Sequence, residues 1–174
     1  KDAQKYTPEF LENIIEKNLI CLNFIRYPNN QLPLFNGASE NFIDQLDEYI
    51  NKDTKKKNDT HMIGGLFKLK QKNHLVFFDV GEPPEKKFSK CYQSGPLSFE
   101  YFLDEVKIIS NSGFGDNISN KAKLLSRLTA CQSTLTLNDT SVTKFERNKL
   151  INKVFGNSIK DSFKTYDLNI NNEK

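Results

Sequence analysis

Two short clusters of hydrogen-bonding side chains carry most of the chain's capacity for chemistry. Tyr92-Gln93-Ser94-Gly95 stands ahead of an alternating stretch, Leu97 to Leu103. Arg127, Thr129, Gln132, Ser133 and Thr134 stand ahead of another apolar stretch, Leu135 to Leu137. Donors and acceptors gathered at strand mouths suit a saccharide surface, whose hydroxyls and carboxylates need many partners. The same residue types also satisfy backbone groups at strand ends. Composition alone favours that plainer role.

Other chemistries find little footing. Gly113-Phe114-Gly115-Asp116 is not a phosphate loop, because no Lys-Ser/Thr follows the glycines. There is no Gly-x-Ser-x-Gly elbow and no H-E-x-x-H. His61 and His74 are the two histidines; one lies beside a polar segment and the other at a strand end, so neither reads as catalytic. Cys21, Cys91 and Cys131 are odd in number and far apart. They read as free thiols rather than a zinc ribbon or a disulfide frame. Lys55-Lys56-Lys57 reads as a solvated loop before it reads as an anion site. Asn58, Asn117 and Asn138 begin N-x-S/T triplets, which matter only in a eukaryotic secretory setting.

The elements that must position the two clusters follow from periodicity. Thr7-Pro8 predicts a helix start, with Phe10, Leu11, Ile14 and Ile15 on one face, and Leu19 to Ile25 extends or follows it. Tyr27-Pro28-Asn29-Asn30 ends it, and Leu32 to Gly37 is an extended connector. Ser39 is expected to cap a second helix bearing Phe42, Ile43, Leu46, Tyr49 and Ile50. A polar linker over 53–62 then separates residues 1–52 from a β domain over 63–174. Strands are predicted near 66–69, 74–80, 97–103, 106–110, 135–137 and 163–170, with a hairpin turn at Asp104-Glu105 and a short helical turn at 121–128. Residues 142–155 fit no single element. The fold class is mainly β, an antiparallel β-sandwich of stacked sheets preceded by a short helical segment.

With a net charge of +3, the chain is too mildly basic to argue for nucleic acid. No apolar run approaches the roughly 20 residues of a membrane span. The chain opens Lys1-Asp2-Ala3 and closes in the polar run 169–174, so it is expected to be a piece of a larger protein.

The wording of three segments adds a resemblance. Phe78-Asp79-Val80-Gly81-Glu82-Pro83-Pro84, Ser94-Gly95-Pro96-Leu97-Ser98-Phe99-Glu100, and the run Thr129 to Ser141 occur in that order. Together they resemble the carboxyl-terminal domain of the heparinase II/III-like polysaccharide lyases. The lead-in Arg26-Tyr27-Pro28 through Leu34-Phe35-Asn36-Gly37 resembles the segment joining that family's helical toroid to its sheets. The resemblance spans roughly residues 20 to 147. It implies an α/α toroid upstream in the same chain, with 1–52 as its end, stacked antiparallel sheets, and a site in the cleft between them. It also implies a carbon–oxygen lyase acting on an acidic, uronate-containing polysaccharide, with no cofactor.

In the implied β-elimination the substrate carboxylate is neutralised, a base takes the adjacent proton, and an acid protonates the departing glycosidic oxygen. The toroid supplies a catalytic Tyr and an Asn or His in such lyases, so these residues alone are expected to be inactive. Three positions depart from the pattern. Gln132, the catalytic candidate, stands where the family usually carries a histidine that acts as base, neutralises the carboxylate or only positions substrate; Gln93 stands where it often carries another, and Tyr27 replaces a common third. Glutamine donates hydrogen bonds but takes up no proton near neutral pH. No metal is expected. Arg127, Ser133, Gln93 and Tyr92 are the substrate-binding candidates, with Arg127 best suited to a uronate carboxylate because its planar fork fits one. The alternative is a carbohydrate-binding or scaffold protein that kept the fold and lost the catalytic histidine. A different enzyme class on the same fold would leave saturated product ends. The resemblance points to a periplasmic or cell-envelope setting, with the cytoplasm still open.

Overall fold

The computed structural model describes residues 8–39 and 61–166. The second helix expected after Ser39 and nearly all of the expected linker lie outside the described residues.

Helix α1 runs Glu9–Phe24 without a break, so the two apolar stretches read from the sequence form one helix. Pro8 is the flanking residue rather than the first helical one; its carbonyl accepts from Leu11 N at 2.9 Å. Five strands make an antiparallel sheet in chain order: β1 Met62–Ile63, β2 Leu66–Gln71, β3 His74–Asp79, β4 Phe99–Leu103 and β5 Val106–Ile109. The mainly β, antiparallel class expected from the sequence is the class that forms. Asp104, at φ 54, and Glu105 turn β4 into β5. A left-handed backbone at the first turn position is what a tight hairpin demands, and Asp tolerates it better than most residues.

Beyond the sheet the chain is irregular. Tight 3₁₀ turns occupy Lys86–Cys91, Gly115–Asn117 and Thr129–Cys131. Helix α2 spans Asn120–Leu125, with the Ser119 hydroxyl accepting from Ala122 N at 3.0 Å as an N-cap. The ambiguous stretch 142–155 divides into β6, Lys144–Phe145, and α3, Lys149–Phe155. The short β7, Ile159–Asp161, pairs with β6 and was not anticipated. One expected strand does not form, and a second falls partly outside the described residues. Residues 135–137 lead into a turn at Asn138-Asp139 closed by a single bridge between Leu137 and Thr140. Of 163–170, the described part, to 166, carries no strand.

One core joins the lead-in to the sheet. Phe24, Tyr27 and Phe35 pack on Leu75, Phe77 and Phe102. The Tyr27 ring stacks on Phe102 at 4.7 Å and meets Phe77 edge-on at 5.3 Å. Its hydroxyl donates to Glu100 Oε2 at 2.9 Å, beneath the sheet. Burial, reinforced by the Glu100 carboxylate, raises the Tyr27 phenol well above its ordinary value, so it stays a neutral donor. Position 27 therefore serves packing.

Lys68 closes the side of this core. Its ammonium donates to the Phe24 carbonyl at 2.6 Å and stands 5.1 Å from the Phe77 ring centre. Burial, with the charge of Lys70 second, pushes its pKa from 10.5 down to about 8. A folded value below the unfolded one means that the unfolded chain holds more protons between the two, so this group makes stability rise with pH across that window. Urea midpoints are expected to rise more steeply from about pH 8 to about pH 10 in the parent than in Lys68→Met, which has nothing to release there. Equal slopes would mean that Lys68 is effectively solvated.

Candidate functional site

The two polar clusters come together, but mostly to hold three segments against one another. Ser94 Oγ and Thr129 Oγ1 lie 2.9 Å apart, fully buried. Ser94 Oγ accepts from Thr143 N at 2.8 Å, and Thr129 Oγ1 accepts from Val142 N at 3.0 Å. The hydroxyls thereby satisfy backbone groups that no strand ladder reaches.

Gln93 is 1% exposed. Its Oε1 accepts from Gly37 N at 3.0 Å, and its Nε2 donates to the carbonyls of Gly113 at 3.0 Å and Ser126 at 2.9 Å. Gln132 Nε2 donates to the same Ser126 carbonyl at 2.7 Å. Gln93 and Gln132 thus converge on one backbone oxygen. Gly95 permits this approach: a Cβ there would stand 3.0 Å from Gln132 Cγ and 2.9 Å from Ser98 Oγ.

Arg127 is also inside, 1% exposed. Nε donates to the Tyr92 carbonyl at 2.9 Å, Nη2 to Ser89 O at 2.8 Å, and Nη1 to Asn157 O. The guanidinium lies 3.9 Å from the Phe145 ring centre. Burial pushes its pKa down to about 10, which leaves it cationic at neutral pH. The sequence put this fork against a uronate; the structure turns it onto backbone carbonyls, where five donors on a plane are equally well used. Tyr92 is buried too, and burial, then the charge of Asp79, raises its phenol.

Gln132, although only 9% exposed, and the half-buried Ser133 are the two sequence candidates that border a surface groove. They line an open groove of about 610 Å³ with Thr134, Phe99, Leu97, Leu135, Leu137 and their neighbours. Leu135 and Leu137, 75% and 65% exposed, rise from it, as does Leu97. Leu97, in the turn before β4, holds a left-handed backbone, φ 57, an uncommon conformation for a large apolar residue. Ser133 is itself braced: its N donates to Asn111 Oδ1 at 2.9 Å and its hydroxyl donates to the Phe99 carbonyl. Thr134 Oγ1 donates to Pro96 O at 2.5 Å. The apolar wall was hidden from sequence reading because Leu135 to Leu137 looked like a strand; the adjacent Asn138-Asp139 turn pair was the signal that could have exposed it.

Of the two histidines, His61 is exposed and His74 Nδ1 lies 2.7 Å from the Tyr101 hydroxyl on the outer side of the sheet, away from both clusters. The cysteines are free thiols, as expected. Among the described residues no group of three or more His, Cys, Asp or Glu is placed to hold a metal ion. Among them, too, no helix is long and apolar enough to cross a membrane.

This sheet, its buried polar brace and the lead-in packed beneath it define a class. The chain belongs to the heparinase II/III-like family: residues 59–170 match the family's C-terminal domain. Its fold is similar to that of heparan sulfate lyase HepC from Pedobacter heparinus, at 19% identity and TM-score 0.55, covering 81% of this chain and 27% of that one. It is similar as well to a heparinase III structure, at 16% identity and TM-score 0.58, with the same coverage. The chain therefore spans about a quarter of the length of these relatives. No curated protein sequence matches it.

Proposed function

We propose that this chain forms one wall of the cleft of a polysaccharide lyase that cleaves an acidic, uronate-containing polymer by β-elimination. The observation that carries the reading is the groove, which sets Gln132 and Ser133 beside an apolar wall in a domain of this family. Leu97, Leu135 and Leu137 suit the C–H faces of sugar rings, and the amide and hydroxyls suit their oxygens. The base and the acid belong to a helical toroid upstream, divided from this domain near 53–62. Gln132 acts by positioning. A neutral histidine there could donate to the Ser126 carbonyl through one ring nitrogen and present an acceptor with the other. Glutamine keeps that donor and carries an acceptor oxygen, but it gives up the capacity to take a proton. A polymeric acidic substrate fits a periplasmic or cell-envelope setting.

The test uses the full product of the gene that contains this chain, incubated with uronate polysaccharides and followed by the absorbance of unsaturated uronate. Gln132→Ala is expected to lower kcat/KM about tenfold, the loss of one hydrogen bond to the reacting sugar. Saturated product ends would replace elimination with hydrolysis. The second reading, a binding or scaffold protein, draws on the glutamines at both histidine positions; saccharide retention with no unsaturated product would establish it.

A further inference from the structure

A second concavity, of about 400 Å³, lies between the 86–91 turn, α2 and the end of α3. Lys90 and Lys123 line it with Asn120, Asn152 and Asn157, and Leu124 is the one large apolar lining residue. No Asp or Glu is among its lining residues. Resting on the lyase reading above, we propose that this pocket is a separate subsite that holds a carboxylate or sulfate group of the same acidic polymer.

The pocket is built rather than incidental. Arg127 donates to Ser89 O, next to the lining residue Lys90, and to the carbonyl of the lining residue Asn157. Ser89 Oγ accepts from Ile159 N at 2.9 Å, which ties the turn to β7. Gly156, at φ 71, leaves room for the Lys90 stem: a Cβ there would stand 3.3 Å from Lys90 Cε. The stem is thereby held while its ammonium serves the pocket. Lys123 Nζ sits 2.5 Å from Asp116 Oδ1 and 5.5 Å from the Phe114 ring centre. That ion pair is largely exposed, so it is worth little and an incoming anion can share the lysine. Two ammonium groups read charge, and Asn120 and Asn157 supply amides for the hydroxyls around it, while the Asn152 amide is held by the Glu146 carbonyl at 3.0 Å. A bare anion would use only the first set; an acidic sugar uses both.

The test is calorimetric titration of the 174-residue chain with a sulfated uronate hexasaccharide, its unsulfated form, its neutral carboxyl-reduced form and inorganic sulfate. The acidic forms are expected to bind, and Lys90→Gln/Lys123→Gln to weaken them at least about tenfold with an unchanged melting temperature. Lys90→Glu alone, which leaves Asp116 paired, is expected to do the same. The effect shrinks as salt rises. Leu135→Asp, in the groove, separates the two readings. Loss through the lysines with Leu135→Asp unaffected supports the pocket and counts against the groove. Loss through Leu135→Asp with the lysine variants unaffected overturns the pocket and leaves the groove standing. Equal binding of inorganic sulfate and hexasaccharide, or no binding of either, also overturns it.

Discussion

Replacing Glu100 by alanine is expected to destabilise the fold by about 3–5 kcal/mol, the usual cost of stripping a buried charge from its partners. The carboxylate is 0% exposed in β4. Oε1 accepts from Leu34 N at 3.1 Å, Asn111 N at 2.9 Å and Ser110 Oγ at 3.0 Å. Oε2 accepts from Tyr27 OH at 2.9 Å and faces Lys107 Nζ at 3.4 Å. Two of these donors belong to the lead-in and three to β5 or the residues just after it. Alanine would take the acceptor from Leu34 N, Asn111 N and Tyr27 OH inside the protein, while Ser110 Oγ keeps Asn111 O and Lys107 Nζ keeps Leu32 O, and unpaired buried donors are where the energy goes. Glu100→Gln keeps one acceptor oxygen and the volume, so its loss should be about half as large. The check is urea unfolding of both variants, together with Tyr27→Phe for a double-mutant cycle. A loss below about 1 kcal/mol for the alanine variant would mean that the lead-in is held by apolar packing alone.

The second large effect is expected at Arg127. Arg127→Ala should cost about 3 kcal/mol or more, since it strips the guanidinium from the Tyr92 and Asn157 carbonyls, leaves Ser89 O with Tyr92 N alone, and takes the cation from the Phe145 ring. For a chain of this size that corresponds to a melting temperature lower by roughly 6–12 °C. Arg127→Lys should recover only a minor part, because one ammonium cannot span Tyr92, Ser89 and Asn157 together. Thermal unfolding of the three proteins decides it. Near-parental stability of the alanine variant, with weakened uronate binding, would return Arg127 to the substrate-facing role read from the sequence.

These two residues mark where sequence reasoning succeeds and where it fails. The strands around 66–71, 74–79 and 99–103 were legible because β-branched and aromatic residues recur there with turn signals between them. The sense of burial was not. In β4 the fully buried face is Glu100 and Phe102, continued by Ser98, while Phe99, Tyr101 and Leu103 are half-exposed. A carboxylate can occupy the inner face because five donors from distant segments meet it, and no local period encodes that meeting. The same holds for the polar clusters. Gln93, Tyr92 and Arg127 sit where a substrate contact was expected, but all three are buried, and the side chains of Gln93 and Arg127 satisfy backbone groups of the irregular chain around them. The expected strand at 135–137 failed for the opposite reason: its leucines have the right type but no neighbouring strand to complete a ladder.

The Gln93 knot has a consequence for how this protein changes over generations. One amide joins the Gly37 turn, the loop at Gly113 and the end of α2 at Ser126. Selection for folding alone holds that residue in place, whether or not its lineage turns over any polymer. Descendants that abandoned turnover would keep Gln93 and let the groove drift. Thr134, Leu135 and Leu137, with few internal obligations, are the positions where a history of substrate use would be written.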